Sequence, residues 1–399
     1  MAKPNRSWQN ARSWEELVAA CRPLVTDVSF PTVEAWKGAH PDGKAIACFP
    51  VYTPQEVLAA AGTLPVTLYG ARGQVEIDHA DSRIQSFVCS IARSTLELGL
   101  GGRAQSLDGL IVPSICDVAR NLSGIWQRNF PGQFVFYLHL PQNPESPAAV
   151  TYYRGELERL RREVAELTGC PPTDDALRGE IQIYNRNREL LDSLHQRRVE
   201  APEQWPSAEV YVLAAVGNVL PRAEHNALLE KALQLGAARR APQRDAVRVL
   251  LRGAFCEQPP LELLEVLEEA GCAVVNDDLQ VGSRFLLGPI RADGDPLAAL
   301  AEAYLRQSVL TPVNHPGKRS RSADLLERVR ATAAQGVIFA SPKFCEPALY
   351  DSVLLKQALE RAGRPYLEFE YEEKMTVFET VRVQAETFVE SILFFSERG

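Results

Sequence analysis

The feature that most constrains this chain is an alternation of short apolar runs with amphipathic segments, in two separate blocks. In the first block, AIACFPVY (45–52), PVTLYG (65–70), DGLIVPSI (108–115) and QFVFYL (133–138) read as strands. Each is short and almost continuously apolar, the pattern of a strand buried on both faces. Helices are expected over 53–62, 86–100 and 117–129. The first is punctuated at both ends, with Thr53 placed to cap, Pro54 at the first helical position and Gly62 as the stop. The second block repeats the alternation, with strands at 246–254, 272–277, 336–341 and 365–371 and helices at 259–271, 346–362 and 376–395. Strands separated by helices pair in parallel through right-handed crossovers. The expected fold is therefore α/β: two Rossmann-like lobes with parallel sheets.

The rest of the chain surrounds these blocks. Trp14, Leu17, Val18 and Cys21 recur at helical spacing, with Pro23 expected to end that helix and Pro31 marking a second break. A proline-rich stretch, PQNPESPA (141–148), precedes two polar helices over 152–167 and 175–198. This hairpin either bridges the lobes or stands out as a solvated arm. At about 150 residues per domain, 399 residues make two or three domains. The expected divisions are N-terminal helices at 1–40, a first lobe at 41–145, a helical bridge at 146–205 and a second lobe at 206–399.

The lobes echo one another. DGLIVPSICDVARNL carries Cys116 and GVIFASPKFCEPALYDSVLL carries Cys345. Each runs apolar strand, proline, cysteine, acid, helix. Cys48 and Cys256 likewise follow strands and precede prolines, at Pro54 and Pro259. Two related lobes in one chain are the expectation.

Composition narrows the function. With 46% hydrophobic and 24% charged residues the chain is an ordinary folded one. A net charge of −8 gives no case for nucleic acid or an anionic membrane surface. The longest apolar stretch, 211–220, falls short of the ~20 residues a bilayer requires. The opening MAKPNRSWQNARSWEEL has no apolar signal core, so a cytoplasmic location is expected. There the eight scattered cysteines stay reduced, leaving core packing, a reactive thiol or a metal site. No C-x-x-C is present, and His79, the histidine nearest the cysteine-rich region, reads as structural.

In open parallel sheets, ligands sit beyond the carboxyl ends of the strands. Cys116 and Cys345 fall there, at strand-to-helix turns in equivalent places, and Cys89 near a helix start can add a third arm. Helix N-termini favour the thiolate, the metal-binding form. Three thiolates without a histidine suit an iron–sulfur cluster better than zinc. Against this stands plain packing, the usual fate of a buried cysteine and the expected one for Cys21, Cys170 and Cys272. Cys48 and Cys256 stay open, since both end strands.

Several collinear motifs, FPVYTPQEVLAAAGTLPVTLYG, HADSRIQSFVCSIARSTLELGL, PSICDVARNL, DDLQVGSRF, SPKFCEPALYDSVLLKQALERAGRPYLEFE and ETFVES, resemble the ATP-dependent benzoyl-CoA reductase and 2-hydroxyacyl-CoA dehydratase family over most of 40–395. FPVYTPQEV, HADSR and SICDVARN together look most like the gamma subunit of its class I reductases, the smaller of the two that bear clusters. The resemblance implies a 4Fe–4S cluster in the cleft between the lobes, with Cys89, Cys116 and Cys345 as its ligands and Cys48 not among them. Glu56 resembles a position where some relatives place an active-site carboxylate; the competing reading is helix first-turn charge. Asp117 and Glu346, beside ligand cysteines, are open to the same two readings, with helix charge favoured. Val383 and Gln384 stand where many dehydratases carry Thr-Arg, which weakens transfer of dehydratase substrate contacts.

The implied activity is the ferredoxin-driven reduction of an aromatic acyl-CoA within a heterotetramer. Its expected partners are a larger homologous subunit that bears its own cluster and ATP-hydrolysing activator subunits, on which ATP and Mg act. This chain carries no G-x-x-x-x-G-K-[ST] loop; GLGGR (99–103) has the wrong spacing and reads as a helix stop and turn. The alternatives are a 2-hydroxyacyl-CoA dehydratase subunit and a non-catalytic scaffold subunit.

Overall fold

The computed structural model describes residues 6–242, 245–281, 284–314 and 320–396. Residues 1–5 of the N-terminal segment and positions 282 and 283 of DDLQVGSRF lie outside them. The chain opens with α1 (Trp14–Thr26) and α2 (Pro31–Ala39). The first lobe follows as β1 (Ala45–Cys48), α3 (Gln55–Ala60), β2 (Leu64–Thr67), α4 (Ser90–Leu100), β3 (Gly109–Pro113), α5 (Asp117–Asn129) and β4 (Phe134–Leu138). Four helices come next: α6 (Ala149–Thr168), α7 (Asp174–Glu200), α8 (Ser207–Ala215) and α9 (Arg222–Ala238). The second lobe has β5 (Val247–Arg252), α10 (Leu261–Glu269), β6 (Cys272–Asp277), α11 (Pro296–Arg306), α12 (Arg321–Ala331), β7 (Gly336–Pro342), α13 (Glu346–Arg361), β8 (Tyr366–Tyr371) and α14 (Glu379–Ser396).

Each lobe is built on a four-stranded parallel sheet, ordered β2-β1-β3-β4 in the first and β6-β5-β7-β8 in the second. The two orders are the same once the strands are renumbered, so the echo in the sequence is an echo in topology. In both, the order reverses between the first and third strands of the lobe. At such a switch point the crossovers leave on opposite faces and open a crevice at the carboxyl ends. β1, β2, β3 and β7 are buried along their whole length, which accounts for their unbroken apolar runs.

α1 buries Trp14, Leu17, Val18, Cys21, Leu24 and Val25 and packs against α8, and Trp14 meets Trp205, in the turn before α8, edge-on at 5.1 Å. Pro23 does not end α1, which runs on to Thr26. So near the C-terminus, a proline forfeits one backbone bond without halting the last turn. Pro31 instead opens α2 at its first position. Thr53 does not cap α3: Pro54 takes that place, and the Thr53 carbonyl accepts from the Tyr304 hydroxyl at 2.9 Å. The helix expected from 86 begins at Ser90.

α6 and α7 are the expected polar hairpin, and α7 packs on α3 of the first lobe and on β6 of the second. Its inward face carries the buried ion pairs Arg188–Glu56 at 3.0 Å and Arg198–Asp277 at 2.6 Å. One helix thus holds a charge contact to each lobe and bridges them, where the sequence also allowed a solvated arm. Among the described residues no helix is long and apolar enough to cross a membrane.

Candidate cysteine-lined site between the lobes

The turn after β3 carries Ser114 and Ile115 and delivers Cys116 to the N-cap of α5. The turn after β7 delivers Cys345 to the N-cap of α13, preceded by Phe344 in the left-handed region at φ 64°. Cys89 is the N-cap of α4. Three separate helix starts, two in the first lobe and one in the second, therefore each present a thiol.

These three thiols line one cavity of about 370 Å³. Its wall is completed by Phe49, Phe87, Phe255 and Tyr350, by Asp117 and Glu346, and by Cys256 and Glu257 from the turn after β5. The cavity lies where the two switch points face each other. The segments after β1 and β5 supply Phe49 and Cys256 to it, and the turns after β3 and β7 supply Cys116 and Cys345.

Cys256, which the sequence leaves open, is on the wall. It sits in a loop four residues past its strand, with no helix cap to mark it. Cys48, also open, is fully buried in β1, with its Sγ 3.7 Å from the Ile46 carbonyl, and does not line the cavity. Cys21 and Cys272 are buried in the core, and Cys170 is exposed on the surface. Glu56 lies elsewhere: 1% exposed in the first turn of α3, it accepts from Arg188 and is not on the cavity wall.

The electrostatics oppose free thiolates here. Cys116 Sγ accepts from the Ala119 N–H at 3.4 Å, the contact by which a helix N-terminus supports negative sulfur. Burial outweighs it, and the Cys116 thiol is raised. Burial pushes Cys345 up to about 12, against one helix N–H, with the charge of Glu257 adding to the rise. Cys89 is raised well above the ordinary thiol by burial, then by Glu257 and the other cysteines, and Cys256 by burial, then by the other cysteines and Glu257. A site of this kind ionises only if a cation enters with the negative charge, because metal ligation displaces the thiol proton.

The donor set can be tested against single metals. Among the described residues no three His, Cys, Asp or Glu side chains are placed to hold a metal ion. Tetrahedral thiolates on one zinc sit ~3.8 Å apart, given Zn–S near 2.3 Å. Cys89, Cys116 and Cys345 ring a cavity without converging on one point. The donor set is all sulfur, the ligand type by which iron–sulfur clusters are bound.

Known proteins resemble this chain over nearly its whole length. The family model for the D-component of 2-hydroxyglutaryl-CoA dehydratase matches residues 50–392. A benzoyl-CoA reductase subunit of Thauera aromatica is 42% identical over 96% of this chain and 100% of its own. The beta subunit of lactoyl-CoA dehydratase from Anaerotignum propionicum is 27% identical over 87% of this chain and 91% of its own. The beta subunit of (R)-2-hydroxyglutaryl-CoA dehydratase from Acidaminococcus fermentans is 27% identical over 88% and 92%. The matched span takes in both lobes, the bridging helices and every cysteine on the cavity wall, so the chain belongs to the benzoyl-CoA reductase and 2-hydroxyacyl-CoA dehydratase family.

Proposed function

We propose that this chain is the 4Fe–4S-binding subunit of an ATP-dependent, ferredoxin-driven aromatic acyl-CoA reductase of the benzoyl-CoA type. The observation that carries this reading is the meeting of Cys89, Cys116 and Cys345, distant in sequence and drawn from both lobes, on one cavity. The likeness to a reductase subunit over almost the whole chain supports the reaction class.

In this reading the three cysteines hold the cluster, one from each helix start. A cluster bound there supplies a one-electron carrier, and its fourth corner, which has no assigned cysteine, is open to another ligand. Phe49 and Phe255, both buried, shield the sulfurs from water on one side, which lowers the local dielectric and strengthens the charge interactions there. The helix N-termini behind the cysteines supply N–H groups that offset the added negative charge. Glu56, bound to Arg188, ties the first turn of α3 to α7, and a direct role toward substrate is proposed only on its family likeness. ATP acts with Mg on partner activator subunits, and a larger homologous subunit makes up the rest of the enzyme.

A dehydratase reading is favoured by the family model's description and by the dehydratase relatives. The two separate on electron stoichiometry. With the purified complex under anaerobic conditions, a reductase consumes reductant in proportion to product, whereas a dehydratase needs only catalytic amounts. Cys116→Ser distinguishes both from a scaffold: iron and electron transfer are lost if the reading holds and kept if the chain only holds its partners.

A further inference from the structure

The three cavity cysteines are not placed in the same way. Cys116 stands just past β3, which ends at Pro113, and Cys345 just past β7, which ends at Pro342, so a buried strand aims each turn. The Cys345 N–H also donates back to the Pro342 carbonyl at 3.0 Å, closing its turn on the strand. Cys89 lies far beyond β2, which ends at Thr67, with one short helical turn, Ala80–Ser82, on the way. No strand end delivers it. Its helix start also lacks a cap of its own: the Cys89 side chain makes no capping hydrogen bond, whereas Cys116 Sγ accepts from the Ala119 N–H. The first N–H groups of a helix have no partner within it and need one from outside.

That partner comes from the other lobe. Glu257 Oε2 accepts from the Ile91 N–H, in the first turn of α4, at 3.0 Å. Glu257 is 1% exposed, and the loop that carries it is fixed to the second lobe. Asp278, just past β6, accepts from the Gly253 N–H at 2.8 Å and the Ala254 N–H at 3.2 Å. Tyr371, at the end of β8, donates its hydroxyl to the Glu257 carbonyl. Gly253 has φ 102°, and a Cβ there would fall 2.6 Å from the Ala340 carbonyl oxygen in β7, so the loop lies against the strand where only glycine fits. A second carboxyl of that lobe meets α4 one turn further on. A Cβ at Gly70 would lie 1.8 Å from Glu373 Oε1 and 2.4 Å from Ser94 Oγ, so the glycine leaves room for these two to approach.

We infer that Glu257 is a positioning residue: reaching across from the second lobe, it caps the helix start that presents Cys89, so the third sulfur is set in place by closure of the lobes. Cys116 and Cys345 are each held by their own sheet. Cys89 takes its position when a rigid loop of the opposite lobe meets α4, which ties completion of the site to contact between the lobes. That Cys89 ligates iron rests on the function proposed above; the cap does not.

The test reads the helix start itself. In the iron-free full chain, the backbone amides of residues 90–93 should exchange hydrogen about tenfold faster in Glu257→Ala than in the wild type. Glu257→Gln, whose amide oxygen can still accept from Ile91, should restore most of the protection. In the same samples Cys89 should react faster with iodoacetamide in Glu257→Ala, while Cys116 and Cys345 keep their wild-type rates. Unchanged exchange at residues 90–93 would overturn the inference, and so would equal acceleration of all three cysteines, the mark of general loosening. If Glu257→Ala does not fold, Tyr371→Phe, which frees the Glu257 carbonyl, is measured in the same way. A smaller acceleration confined to residues 90–93 and Cys89 is then expected, and none would contradict the cap. In the iron-loaded complex a chelator should strip iron about tenfold faster from Glu257→Ala, with Glu257→Gln close to the wild type; equal stripping rates in Glu257→Ala and the wild type would contradict a role in holding Cys89. Absence of iron from the wild type contradicts the cluster reading and leaves the exchange and alkylation arms to decide the cap.

Discussion

At the scale of single residues, the proposal turns on which sulfurs would hold iron. Under the proposed assignment Cys116→Ser and Cys345→Ser would each remove one ligand of the cluster, so anaerobic preparations of either should lose most of their iron, measured colorimetrically per chain. Cys256→Ser should keep it, because Cys256 lines the cavity but is not assigned to a corner. Iron loss in Cys256→Ser equal to that in Cys345→Ser would reassign the site. Cys116 and Cys345 were legible as crevice residues because strand, turn and helix start are punctuated at Pro113 and Pro342, and the residue just beyond such a turn faces the crevice. Cys256 was left open as a strand-end cysteine able to face the cleft, while Glu257 was not legible, since a single residue in an irregular loop carries no period to place it.

Another residue-scale expectation concerns His225. It is wholly buried, with Nδ1 accepting from Asn187 Nδ2 at 3.0 Å and Nε2 donating to the Leu213 carbonyl at 3.0 Å. Burial, then the Arg222 charge, pushes it down to about 3 from an ordinary 6.5. The unfolded chain takes up a proton below pH 6.5 that the native chain refuses, so stability is present above that pH and is lost as pH falls toward 3. Urea midpoints at pH 7.5 and pH 5 should fall more in the wild type than in His225→Gln. Equal falls would contradict this.

At the scale of elements, α7 is the member that joins the lobes, and its tie to the second lobe is a charge cluster. Asp277 at the end of β6 meets Arg198 of α7 and Arg284, each at 2.6 Å, and Arg198 and Asp277 are almost fully buried. Burial alone would raise the Asp277 carboxyl, but the guanidinium groups of Arg284 and Arg198 overrule it and hold it well below its ordinary 3.8. Its contribution is therefore complete above about pH 4 and lost as pH falls through the acid range below. Asp277→Asn leaves Arg198 buried against a neutral partner and should destabilise the protein by about 3–5 kcal/mol, read from chemical denaturation. A change under about 1 kcal/mol, the scale of an exposed pair, would contradict the clamp.

Most strands and the helices that follow them were legible at this scale because apolar runs and proline or glycine stops coincide. The helices α8 and α9 were not. α8 is buried on every side and so has no amphipathic period. α9 turns Arg222, His225 and Asn226 inward, which hides its buried face among polar residues. α11 and α12 fall in a stretch where the sequence alone assigned no elements.

At the scale of the whole molecule, the two lobes share a strand order and face each other through their switch points. The two alternating blocks follow from sequence periodicity, and the echo of Cys116 and Cys345 put one cysteine at a strand-to-helix turn of each lobe, whereas the strand order was not read from the sequence. What the sequence could not supply is the crevice between them: its closure depends on contacts such as Tyr52 with Thr311 at 2.8 Å and Tyr69 with the Gln280 carbonyl, made across more than 200 residues. Such pairs have no local signature.

The most direct measurement is iron anomalous scattering from crystals of the anaerobically purified complex. One four-iron centre bounded by Cys89, Cys116 and Cys345 of this chain is the expected result. A cavity without iron, or iron held by this chain away from those three sulfurs, would contradict the cluster assignment.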